Sequence, residues 1–87
     1  NFSGNGSILF LNLFVIITPS IFIDVYANTA NDRYDFSLIK DNQKIYGYDN
    51  LERWHYHPLN KQDYHIAIAE PSLNQIFNEI TNVIQSL

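Results

Sequence analysis

Cysteine is absent from this chain of 87 residues. That excludes disulfides, thiolate zinc sites and thiol nucleophiles, and leaves a small core without covalent staples. Charge is also sparse, at 16% of residues, with five Lys and Arg against nine Asp and Glu for a net charge of −4. Such a balance argues against a broad nucleic-acid footprint and leaves only local basic spots such as Arg53 and Lys61. With three glycines in all, no phosphate-cradling pattern exists, and neither Ser20 nor Ser37 sits in a nucleophile-elbow context. The longest apolar run, Ile8 to Ile23, is broken by Asn12 and by Thr18-Pro19-Ser20, and falls short of the ~20 residues that a membrane-spanning helix needs. No basic residue precedes it, as a signal peptide would require. No membrane partner is therefore expected, and the cytoplasm is the expected location. The chain opens at Asn1 rather than Met, as expected of a processed product or a piece of a longer one.

What the chain does have is apolar mass. Hydrophobic residues make up 46% and aromatics 15%, which marks a globular sequence and excludes a disordered one. One domain of this size buries about 60 to 65% of the surface of its unfolded chain, so a partner, including a second copy, is an expected supplement to its stability. Residues 1–87 are read as a single α+β domain. Ile8 to Ile17 is rich in branched and aromatic side chains and has no helical polar face, which predicts a central strand. Period-two patterns follow at Ile21-Ile23-Val25-Ala27 and at Tyr34-Phe36-Leu38. Lys40 to Gln43 supplies turn residues, and Lys44 to Tyr48 resumes an extended pattern, so these runs predict a hairpin in which Gly47 marks a bulge. Asn50 to Asn60, which contains Pro58, is read as a loop. The expected strands cover about 7–17, 20–27, 33–39, 43–48 and 63–69. A helix follows over about 72–86, with Leu73, Ile76, Phe77, Ile80, Val83, Ile84 and Leu87 at helical spacing and Ser72-Leu73-Asn74-Gln75 as a capping box. The expectation is an antiparallel meander of four or five strands with the C-terminal helix packed on one face.

The functional-group chemistry concentrates between Asp49 and His65. Trp54-His55-Tyr56-His57 and Tyr64-His65 hold all three histidines and the sole tryptophan. In an extended segment His55 and His57 project to the same side, which opens three readings. One is a zinc-type metal module completed by Asp49 or His65. The second is metal-free ribonuclease chemistry, in which His55 or His57 takes the ribose 2′-hydroxyl proton, His65 protonates the leaving oxygen and Arg53 stabilises the phosphate. Asp49 would orient a ring, Trp54 or Tyr56 would stack on a base, and Lys61 would add local positive charge. This chemistry needs no cofactor and no metal. In the third reading the aromatic residues only pack, and the chain is a non-catalytic interaction domain whose sheet binds a protein or its own copy, since the long first strand invites edge pairing.

The order of short motifs along the chain resembles the TumE-like toxins of prokaryotic toxin–antitoxin pairs. The motifs that carry the resemblance are Gly6-Ser7-Ile8-Leu9, Tyr34 to Leu38, Tyr48-Asp49-Asn50, His55, His57-Pro58, His65 and Glu70-Pro71-Ser72-Leu73, and they span nearly the whole chain. Between Asn50 and Pro58 the first histidine pair is split by Tyr56, unlike the Pro-His-His order of the family. The resemblance implies a small single-domain toxin that acts on RNA and is neutralised by a DNA-binding antitoxin encoded beside it. Its expected partners are that antitoxin and RNA, with the chain in a homo-oligomer or a hetero-complex.

Overall fold

The computed structural model describes residues 10–87. Six strands and one helix follow in chain order: β1 (Phe10–Thr18), β2 (Ile21–Asn28), β3 (Arg33–Lys40), β4 (Gln43–Asp49), β5 (His55–His57), β6 (Ile66–Ala67) and α1 (Leu73–Gln85). Each strand pairs antiparallel with its neighbour in sequence, giving one sheet of order β1-β2-β3-β4-β5-β6. The α+β meander expected from the sequence is present, with six strands in place of four or five. The additional strand is β5, which lies inside the segment read as a loop. Its three residues pair with β4 until Pro58, which cannot continue the ladder. The strand expected over 63–69 shrinks to the two residues of β6, and residues 7–9 of the expected first strand lie outside the described residues.

Turn chemistry sets the hairpins. Asp41 and Asn42 both take positive φ, 51° and 65°, between Lys40 and Gln43. A two-residue turn of that kind matches the strand twist, and Asp and Asn tolerate it best after glycine. Beyond the turn the β3–β4 register shifts: Ile39 faces Lys44, but Leu38 faces Tyr46, so Ile45 is the inserted residue of a bulge. The bulge thus falls at Ile45 and not at Gly47.

One face of the sheet carries Ile23, Val25, Tyr34, Phe36, Leu38, Tyr46 and Tyr48, all buried. Against it packs α1, whose Ile76 and Ile80 are fully buried, and whose Phe77 meets Phe36 edge to face at 5.8 Å between ring centroids. Burying each isoleucine contributes roughly 1.5–3 kcal/mol. Ser72 caps the helix, its hydroxyl accepting the Gln75 N–H at 3.1 Å. The meander places β1 at the sheet edge and not in its centre. Its alternation of apolar residues on both faces, the feature that reads as a central strand, leaves Phe10, Phe14 and Ile16 exposed. No helix among the described residues is long and apolar enough to cross a membrane.

Candidate functional site

Sheet alternation builds the site on the face away from α1. Asp49, at the end of β4, is in register with His55 at the start of β5, and His57 stands opposite Gly47. The intervening pair, Tyr48 and Tyr56, turns to the core side. After Pro58 the chain makes a compact excursion, pinned by Asn60 N–H to the Ile45 carbonyl at 2.8 Å and Tyr64 N–H to the Lys61 carbonyl at 3.0 Å. It returns His65 to the site immediately before β6. The three imidazoles converge, with ring centroids 5.0 Å apart for His55 and His57, 4.9 Å for His55 and His65, and 4.5 Å for His57 and His65. Asp49, His55 and His57 are each only 6% exposed, whereas His65 is open to solvent.

The carboxylate is the hub. Asp49 Oδ2 meets His57 Nε2 at 3.1 Å, Oδ1 accepts the Leu51 N–H at 3.0 Å, and His55 Nε2 lies 3.1 Å from Oδ1. Burial by itself would raise the Asp49 pKa. It is outweighed by the Leu51 N–H bond, the His57 bond and the charges of His55 and Lys44, so the carboxyl is held below its usual 3.8. On the far side of each buried ring a backbone carbonyl takes Nδ1: Arg53 for His55 at 2.9 Å, and Gln62 for His57 at 2.7 Å. A carbonyl oxygen only accepts, so both Nδ1 atoms carry the proton.

Outside this cluster lies an open cleft of about 370 Å³, lined by Leu51, Glu52, Arg53, His55, His65 and Ala67. Glu52 in its wall adopts φ 69°, a left-handed conformation that costs a non-glycine residue of order 1 kcal/mol.

The structure thus brings Asp49, His55, His57 and His65 together and sets Arg53 with His55 and His65 in the cleft lining, to which His57 does not contribute. Trp54 stacks on Tyr34, with centroids 6.2 Å apart and planes 11° apart. Tyr56 lies against Tyr46 and Tyr48 on the helix side, so neither expected base-stacking ring is among the cleft-lining residues. Lys61 reaches over the exposed ring of Tyr64, its Nζ 5.7 Å from the centroid. Tyr64 next to His65, the carbonyls of Arg53 and Gln62, and Asp35, which faces Asp49 across the β3–β4 ladder, are contributors that sequence reasoning missed. Only Asp35 left a signal, in the alternation of its strand. Compared with protein-family models, curated proteins and solved structures, the chain matches none.

Proposed function

We propose that this chain is the toxin of a toxin–antitoxin pair and that it cleaves RNA by histidine acid–base chemistry. The observation that carries the reading is the cleft that Arg53, His55 and His65 help to line, with the Asp49 carboxylate 3.1 Å from His55 Nε2. Phosphodiester transfer at ribose needs a base at the 2′-hydroxyl, an acid at the 5′-oxygen that leaves in line with it, and a cation for the phosphate charge. The base removes the 2′-hydroxyl proton, the 2′-oxygen attacks phosphorus, and the 5′-oxygen leaves with a proton from the acid, giving a 2′,3′-cyclic phosphate. His65, the exposed ring, meets the sugar–phosphate; His55 is the second acid–base group; Arg53 faces the phosphate charge. Asp49 and His57 position the two. Tyr64 and Lys61 offer a stacking ring and an ammonium beside His65. An antitoxin encoded beside the toxin would neutralise it.

The test uses the chelator-treated chain with a ribose oligonucleotide and the same oligonucleotide carrying 2′-deoxy sugars. The expected result is cleavage of the ribose strand alone, with cyclic phosphate ends. An intact ribose strand at equimolar protein would reject the reading.

A second reading rests on a different observation. Phe10, Phe14 and Ile16 on β1 are 70%, 55% and 65% exposed, and among the described residues no strand pairs with the outer edge of β1. An apolar, unprotected edge of this kind invites pairing with another chain. Sedimentation at micromolar concentration is expected to show a dimer or larger species, and Ile16→Lys is expected to yield the monomer. A monodisperse parent monomer would rule the interface out.

A further inference from the structure

We propose that Asp49, His55, His57 and His65 form a binding site for a divalent transition-metal ion of the zinc class. The first support is convergence: each imidazole offers a ligand nitrogen, and the three lie within 4.8 Å of one another. The second is orientation. The carbonyls of Arg53 and Gln62 fix the protons of His55 and His57 on Nδ1, so both Nε2 atoms face inward. Metal-bound histidines are held in this way, with the second ring N–H given to a carbonyl or carboxylate.

The third support is an electrostatic mismatch. His55 Nε2 is buried and makes no hydrogen bond, yet it lies 3.1 Å from Asp49 Oδ1. With Nδ1–H given to the Arg53 carbonyl, the ring either aims an Nε2 lone pair at an anionic oxygen or carries a second proton there, and a bound cation takes the place of that proton. Asp35, in register with Asp49 on the adjacent strand, adds a further carboxylate and deepens the negative potential on this face.

Donor chemistry narrows the class. Three imidazoles with one carboxylate suit zinc, cobalt, nickel or copper, whereas magnesium and calcium require oxygen-rich sites. A tetrahedral ion with bonds of about 2.0–2.1 Å separates its donors by roughly 3.3 Å. The His55 Nε2–Asp49 Oδ1 separation of 3.1 Å is close to that spacing, and His57 Nε2 stands equally near the other carboxylate oxygen, Oδ2. The remaining closure falls to His65, whose exposed ring is free to turn inward. An ion held here occupies the lone pairs that proton transfer needs, so the inference stands apart from the ribonuclease reading, and every readout below is taken without RNA.

The untagged chain is stripped with chelator and titrated with zinc chloride by calorimetry, and with cobalt chloride by visible absorption. The expected results are one zinc per chain, a tetrahedral cobalt spectrum, and a higher unfolding temperature with zinc. His57→Ala and Asp49→Asn are each expected to weaken zinc binding by at least about tenfold. His65→Ala, which removes a solvent-exposed ring and leaves the fold intact by circular dichroism, is expected to do the same. Titration of the parent without stoichiometric binding, or unchanged zinc affinity in His65→Ala, would overturn the proposal.

Discussion

Gly47→Ala is expected to destabilise the domain by about 3 kcal/mol, from overpacking at a position that cannot yield. For a domain of this size that lowers the unfolding temperature by roughly 15 °C. A β-carbon at this position would stand 2.6 Å from the Phe36 carbonyl oxygen and 2.8 Å from the Lys44 Cε. The lysine stem can swing aside. The carbonyl cannot, because it belongs to β3, which is hydrogen-bonded within the sheet on both sides. Gly47 also faces His57 in the β4–β5 ladder, and parting β4 from β3 would draw Asp49 away from Asp35, its partner across the β3–β4 ladder. Thermal unfolding followed by circular dichroism measures the effect, and a Tm within about 2 °C of the parent would show that the strands have room to spread.

His65→Ala is expected to reduce RNA cleavage by about 10²- to 10⁴-fold, the range that one positioned acid–base group contributes. Stability should change by no more than about 0.5 kcal/mol, because the ring is exposed. His55→Ala should produce a comparable loss of cleavage together with a loss of stability, since it strips a buried partner from Asp49. The contrast is informative. If the cluster only packs, His55→Ala alone has a measurable effect, and that effect is on folding. Single-turnover cleavage in chelator, alongside chemical denaturation of each variant, separates the cases; parental cleavage by His65→Ala would remove the acid–base assignment.

Much of the meander is legible because period-two runs at Ile21 to Ala27 and Tyr34 to Leu38 are bounded by turn residues, and the helix because its apolar stripe follows a clear cap at Ser72. The register of β4 is less legible, and the site depends on it. Counting outward from Asp41-Asn42, an uninterrupted ladder would place Asp49 opposite Tyr34 on the helix side of the sheet. The single residue inserted at Ile45 moves Asp49 opposite Asp35 and exchanges the faces of every later residue in the strand. Tyr46 and Tyr48 thereby reach the core, with their hydroxyls 3.1 Å apart, and Asp49 reaches the imidazoles. Nothing in the local composition marks Ile45 as the inserted residue, although Gly47 pointed to within two positions of it. The strand at His55–His57 escaped notice for a similar reason: three residues carry too little periodicity to be distinguished from a loop, and pairing with Gly47 to Asp49 on one side and with Ile66 and Ala67 on the other makes them a strand.

The shortness of β6 has its own consequence. On the C-terminal side of His65 the two residues of β6, both exposed, and the Ile68 N–H to the Trp54 carbonyl at 3.1 Å are the anchors, and on the N-terminal side the Asn60, Gln62 and Tyr64 bonds, less than the eight-residue ladders of β2 and β3 provide. Such a margin frays long before the body of a sheet comes apart. The third imidazole therefore leaves its companions through local opening, and whatever the trio accomplishes has a lower thermal ceiling than the fold that supports it.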